Sequence, residues 1–153
     1  MKLIVTVSLF ACLMACGLRK ITPENSEGKT VKAKQLELVG ELSQIPKDNN
    51  MTTITAAKIE GNFLVLDVRY SGGCQEHTFR LVGNTMISKS LPPRRGIDLI
   101  HETPSPDNCK AMIMRQIKIE ISQFAYKQEV GSEIFLDLAG WKGELKYAYT
   151  IEK

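Results

Sequence analysis

The sequence predicts an all-β domain: an antiparallel β-sandwich of about seven strands, immunoglobulin-like in general architecture, with a small barrel as the alternative. Three observations carry this. From Met51 onward apolar residues recur mainly with period two. Clusters of Gly, Pro, Asn and Asp separate most of the apolar runs. No stretch after residue 50 has helical spacing long enough to dominate. The chain has 153 residues, enough for one domain plus terminal segments, and its 43% hydrophobic content supplies a core.

The domain is expected to span residues 35–153. Gln35 to Ile45 is ambiguous: Leu38, Val39, Leu42 and Ile45 fit a short helix face, which Gly40 weakens, and Pro46 ends the stretch. Thr53 to Ile59 reads as the first clear strand. Glu60-Gly61-Asn62 is a tight connection into Phe63–Tyr70, where Leu64, Leu66, Val68 and Tyr70 share a face. His77 to Val82 alternates again, then Gly83-Asn84 turns the chain. Ser90 to Gly96 reads as a proline-stiffened loop in which Arg94-Arg95 is a solvated pair. Ile97 to His101 places Ile97, Leu99 and His101 on one side, and Pro104, Pro106, Asp107 and Asn108 make a turn. Ala111 to Ser122 is the longest run, with Ile117, Ile119 and Ile121 alternating with polar residues. Glu133–Leu138 and a final strand with Leu145, Tyr147, Tyr149 and Ile151 on one face are joined by a hairpin at Gly140–Gly143. Trp141 and the tyrosines read as packing residues.

The ends carry different information. Met1-Lys2 is followed by the uncharged, mostly apolar stretch Leu3 to Met14. It is shorter than the roughly 20 apolar residues of a membrane span, and suits the h-region of a signal peptide. Leu13-Met14-Ala15-Cys16 resembles the lipobox of bacterial lipoproteins. That resemblance implies a signal peptide of residues 1–15 and cleavage before Cys16. It also implies a diacylglycerol on the Cys16 sulfur and a further acyl chain, such as palmitate, on its amine. Met14 stands where a small residue is usual. A plain secretory signal with a fortuitous cysteine, or a short anchor, are the competing readings. Residues 16–34 are polar and charged and read as a flexible tether. The expected place is a bacterial envelope, lipid-anchored, in the outer membrane if the host has two membranes, because Gly17 and not aspartate follows the cysteine.

Of four cysteines, Cys12 leaves with the signal peptide and Cys16 is lipidated. The remaining pair, Cys74 and Cys109, sits at strand ends 35 residues apart, and outside the cytoplasm such a pair most often forms a disulfide. A metal site is the alternative. Cys74, His77, His101 and Cys109 offer the thiolate and imidazole donors that zinc or copper takes, in the order Cys-x2-His and His-x7-Cys. The x7 spacing is long for a structural zinc site, and a bridged pair has no thiolate. In a weaker variant the bridge stays and His77 and His101, with Glu76 or Glu102, hold the metal.

The stretch Tyr70-Ser-Gly-Gly-Cys-Gln-Glu-His77, with His101 and Asp107-Asn-Cys109 downstream, resembles a pattern in small uncharacterised bacterial lipoproteins and secreted proteins. The likeness covers roughly residues 52–122 and implies no activity. No catalytic residue is assigned: CxxC, GxSxG, HExxH and P-loop patterns do not occur. The net charge of +3 is interspersed, with no basic stripe for nucleic acid. The expected function is therefore non-enzymatic, without a cofactor. The domain would meet the membrane through its lipid and bind an envelope protein or cell-wall partner. A metal-binding or redox-active periplasmic protein is the alternative.

Overall fold

Two mixed sheets stack face to face, one of four strands and one of five, and they are not closed into a barrel. This computed structural model describes residues 36–45, 52–103 and 106–151. The expected signal peptide, Cys16 and the tether lie outside the described residues.

In chain order the strands are β1 (Leu36–Val39), β2 (Glu41–Leu42), β3 (Thr52–Glu60), β4 (Phe63–Gly72), β5 (Thr78–Gly83), β6 (Arg94–Glu102), β7 (Ala111–Glu120), β8 (Glu133–Leu138) and β9 (Leu145–Ala148). One 3-10 turn, Ser122–Phe124, follows β7. The first sheet is ordered β1-β7-β4-β3 and the second β2-β5-β6-β8-β9. The sandwich read from the sequence is present, and all seven expected strands, β3 to β9, lie where the period-two runs placed them.

The pairing is mixed where an antiparallel arrangement was expected. β1 runs parallel to β7, β2 to β5, and β6 to β8. The β6–β8 pair is parallel because the chain leaves its sheet after β6, adds β7 to the other layer, and returns. The other two arise from the N-terminal segment. Where a helix face was one reading of residues 38–45, the chain forms β1 on one sheet and β2 on the other. Both sheets have an open edge there, and backbone pairing along an edge satisfies groups that a lone helical turn would leave half-made. Gly40 is the crossing point. Its N–H donates to the Glu120 carbonyl at 2.8 Å. A Cβ there would fall 2.6 Å from the ring of Phe124, which is fully buried, and one on Gly83 would fall 2.7 Å from the same ring.

The core lies between the layers. Leu64, Leu66, Ile117, Ile119 and Ile121 of one side meet Leu81, Ile97, Ile134 and Tyr147 of the other, each within 1% of complete burial. Burying such side chains supplies about 1.5–3 kcal/mol each, opposed by the entropy of ordering the chain. Asn62, in the β3–β4 turn, accepts the Tyr147 hydroxyl at 2.9 Å and the Thr150 N–H at 3.1 Å. That clamps β9 to the first sheet.

Two local readings are corrected. Arg94 and Arg95 open β6 and are not a solvated loop pair. Arg94 pairs with Asp137, while Arg95, only 6% exposed, donates to the carbonyls of Phe124 and Asn84. Alternation along β6 sends one arginine outward and the next inward. Ile151 does not continue the face of Tyr147: β9 ends at Ala148, and Ile151 is exposed.

Candidate functional site

β4 and β7 pair antiparallel in one unbroken register from Phe63 opposite Glu120 to Gly72 opposite Ala111. Two further steps along that register set Cys74 opposite Cys109. Their Cα atoms are 5.7 Å apart and the cysteines are bridged. The ladder thus delivers the two sulfurs to one another.

Just before the bridge the chain turns at Gly72 and Gly73, whose φ values of 154° and 116° suit glycine. The turn aims three successive backbone N–H groups, of Gly73, Cys74 and Gln75, at one oxygen, Oδ2 of Asp107, at 2.7, 3.0 and 3.0 Å. This is the geometry of an anion nest, occupied by the protein's own carboxylate. Oδ1 of Asp107 accepts the Cys109 N–H at 2.9 Å. The nest and the bridge therefore brace the same corner.

The same Oδ2 begins a polar chain through the end of the sandwich. His77 Nε2 donates to it at 2.9 Å. His77 Nδ1 meets His101 Nε2 at 2.7 Å, and His101 Nδ1 meets the Thr52 hydroxyl at 2.7 Å. The hydrogen bond from His77, together with the N–H groups of Cys109, Gln75 and Cys74, holds the Asp107 carboxyl far below the usual carboxylate range. With Asp107 ionised, the nitrogen that faces it, His77 Nε2, is the donor. Between His77 Nδ1 and His101 Nε2 one nitrogen donates and the other accepts, and His101 Nδ1 shares a hydrogen with the Thr52 hydroxyl, with the direction set by the tautomer. Burial pushes the His101 imidazole down to about 4, and the charges of His77 and Arg115 push the same way.

Aromatic rings enclose the pair. Phe79 stacks on His101 at 4.5 Å between centroids, and Tyr70 lies 4.8 Å from each histidine. Tyr70 and His77 also line a cleft of about 630 Å³ between the layers.

The sequence-predicted site residues are thus brought together, all four of Cys74, His77, His101 and Cys109, in two separate arrangements. The cysteines form a bridge, which offers no thiolate to a metal. The histidines face each other at hydrogen-bond distance. Glu76 and Glu102, the carboxylates of the weaker metal variant, do not join them; Glu102 pairs with Arg80 at 2.9 Å. Two members of the cluster were missed from sequence. Asp107 read as a turn residue and Thr52 fell just outside the strand expected from Thr53, and only the double glycine at 72–73 hinted that something would approach the backbone there.

A hydroxyl, two imidazoles and a carboxylate in series have the logic of an activated nucleophile. The clustered N–H groups that could stabilise an oxyanion are taken by Asp107. What the arrangement does chemically is hold a proton in a fixed, buried line.

No protein-family model matches the chain, and no curated protein matches it. Among solved structures the chain is similar to a NigD-like immunity protein from Bacteroides caccae, with a TM-score of 0.54 and 12% identity over 74% of this chain. It spans 64% of that protein's length. It is also similar to a protein of unknown function, DUF1344, from Bacteroides vulgatus, with a TM-score of 0.48 and 14% identity over 79% of this chain and 58% of that one. At this identity the first likeness shows the fold alone.

Proposed function

We propose that this chain is a lipid-anchored protein of a bacterial envelope, and that its β-sandwich is a non-catalytic binding module. The observation that carries the second part is the closed accounting of the polar corner. The anion nest is filled by Asp107, the cysteines are bridged, and the histidines are engaged with Asp107, Thr52 and each other. A site for chemistry keeps a donor or a ligand position open for substrate; here these groups serve to fix a rigid frame. The first part rests on the lipobox resemblance at Leu13–Cys16. The bridge agrees with it, since such bonds persist in oxidising compartments. The partner is an envelope protein or cell-wall component, met by the loops of the frame. An immunity role, as in the description of the Bacteroides caccae protein, is one form of such binding.

Expression of the full chain and of Cys16→Ala in a bacterial host tests the placement. The parent should label with palmitate and fractionate with membranes, and Cys16→Ala should do neither. Unchanged membrane association without label would overturn it. Crosslinked capture from intact envelopes, with the parent chain as bait, tests the binding role; turnover of a thiol, ester or peptide substrate that is lost on His101→Phe would replace it with an enzymatic one.

A further inference from the structure

The inner face of β7 carries one residue that the core does not explain. Ile117 and Ile119 on that face are fully buried, and the same alternation puts Ile113 and Arg115 in their row. Arg115 sits opposite Val68 and beside the Ile113–Tyr70 pair, on strands whose inward residues are otherwise apolar. It is half-buried, and among the described residues it makes no hydrogen bond or ion pair. A cation on an inward row without a counter-charge is unfavourable. The core does not close over it: at this point the layers part into the 630 Å³ cleft, which Arg115 lines.

The cleft's other walls set the ligand class. Leu38 and Ile113 supply half-buried aliphatic surface, the buried rings of Tyr70, His77 and Phe79 close its floor, and Gln75, Glu76 and Thr78 form an exposed polar rim. A cleft of this size, part apolar and part polar, is what small amphipathic organic ligands occupy. We propose that it binds an apolar monocarboxylate, with the carboxylate on the Arg115 guanidinium and the hydrocarbon part against the half-buried side chains of Leu38 and Ile113. A guanidinium fork matches a carboxylate in shape. One cation with an acidic residue nearby suits a single negative charge and opposes the double charge of a phosphate monoester. This site is distinct from the protein-binding loops proposed above and stands whether or not Cys16 is lipidated.

The test is a chemical-shift titration of the isotopically labelled full chain with phenylacetate and hexanoate, each against its neutral amide, and with phenyl phosphate. At least one carboxylate should saturably shift the amides of Ile113, Arg115 and Gly73. Its amide should bind about tenfold more weakly or worse, as expected for loss of a charge-assisted hydrogen bond. Arg115→Gln should abolish the discrimination between acid and amide, Arg115→Lys should retain it in part, and Glu76→Gln should strengthen binding. The inference is overturned if acids and amides shift the cleft equally, if none of the probes shifts it, if phenyl phosphate binds more tightly than phenylacetate, or if folded Arg115→Gln binds as the parent does.

Discussion

Replacing Cys74 and Cys109 by alanine together isolates the contribution of the bridge. The closed loop spans 35 residues, and the chain-entropy relation for a loop of that length gives about 4 kcal/mol at 25 °C. The native side of the balance changes little in this reasoning. Ten residue pairs of the β4–β7 ladder lead up to the bridge in continuous register, so the two corners stay opposed when the sulfurs are gone. The loss therefore falls mainly on the unfolded state, which gains freedom. With a urea dependence of about 2 kcal/mol/M for a domain of this size, the unfolding midpoint should fall by about 2 M. Trp141 fluorescence and far-ultraviolet circular dichroism should report one coincident transition. Reductant should move the parent towards the variant and leave the variant where it is. A midpoint shift under about 0.5 M would refute the loop-entropy reasoning, and an intact mass showing two free thiols in the purified parent would refute the bridge itself.

Two further outcomes follow from the packing and the buried histidines. His101 is held near 4 in the folded protein against about 6.5 when unfolded, so the unfolded chain binds more protons between those values; stability should be full above pH 6.5 and fall by up to about 3 kcal/mol as pH drops towards 4. Urea midpoints that stay flat from pH 7 to 4.5 would contradict this. Gly83→Ala drives a methyl into the buried Phe124 ring and should cost about 1–3 kcal/mol, whereas Gly96→Ala, with nothing within 4 Å of the added atom, should stay within about 0.5 kcal/mol of the parent. Thermal melts of the two variants side by side decide it.

What could be read from sequence was what depends on neighbours in the chain. Alternation with turn residues between runs located β3 to β9, since period two is a local property. Compartment and cysteine count pointed to the Cys74–Cys109 pair, and the strand ends supplied its geometry. β1 and β2 were not legible, because a two-residue or four-residue strand pairing parallel with a distant edge leaves no local period, and Gly40 is read as a weak point of a helix until Phe124 is known to lie against it. Asp107 was hidden for a similar reason. In a cluster of Pro, Asp and Asn it looks like a turn former, and only the fold shows three N–H groups waiting for its oxygen. Arg115 was legible in principle: extending the Ile117–Ile119–Ile121 row back by one step lands on it, so the alternation alone puts a cation on the inner face.

The crossing at Gly40 has a consequence for self-association. β1 covers the side of β7 that faces away from β4, and β2 covers the side of β5 that faces away from β6. One short segment thereby covers part of one border of each layer, Ile117–Glu120 of β7 and Val82–Gly83 of β5, where backbone would otherwise be open to a second molecule. A protease cut that released residues 36–42 would uncover both of these stretches at once while leaving the core strands in place. The product would be a sticky template, ready to zip strand to strand with its own kind.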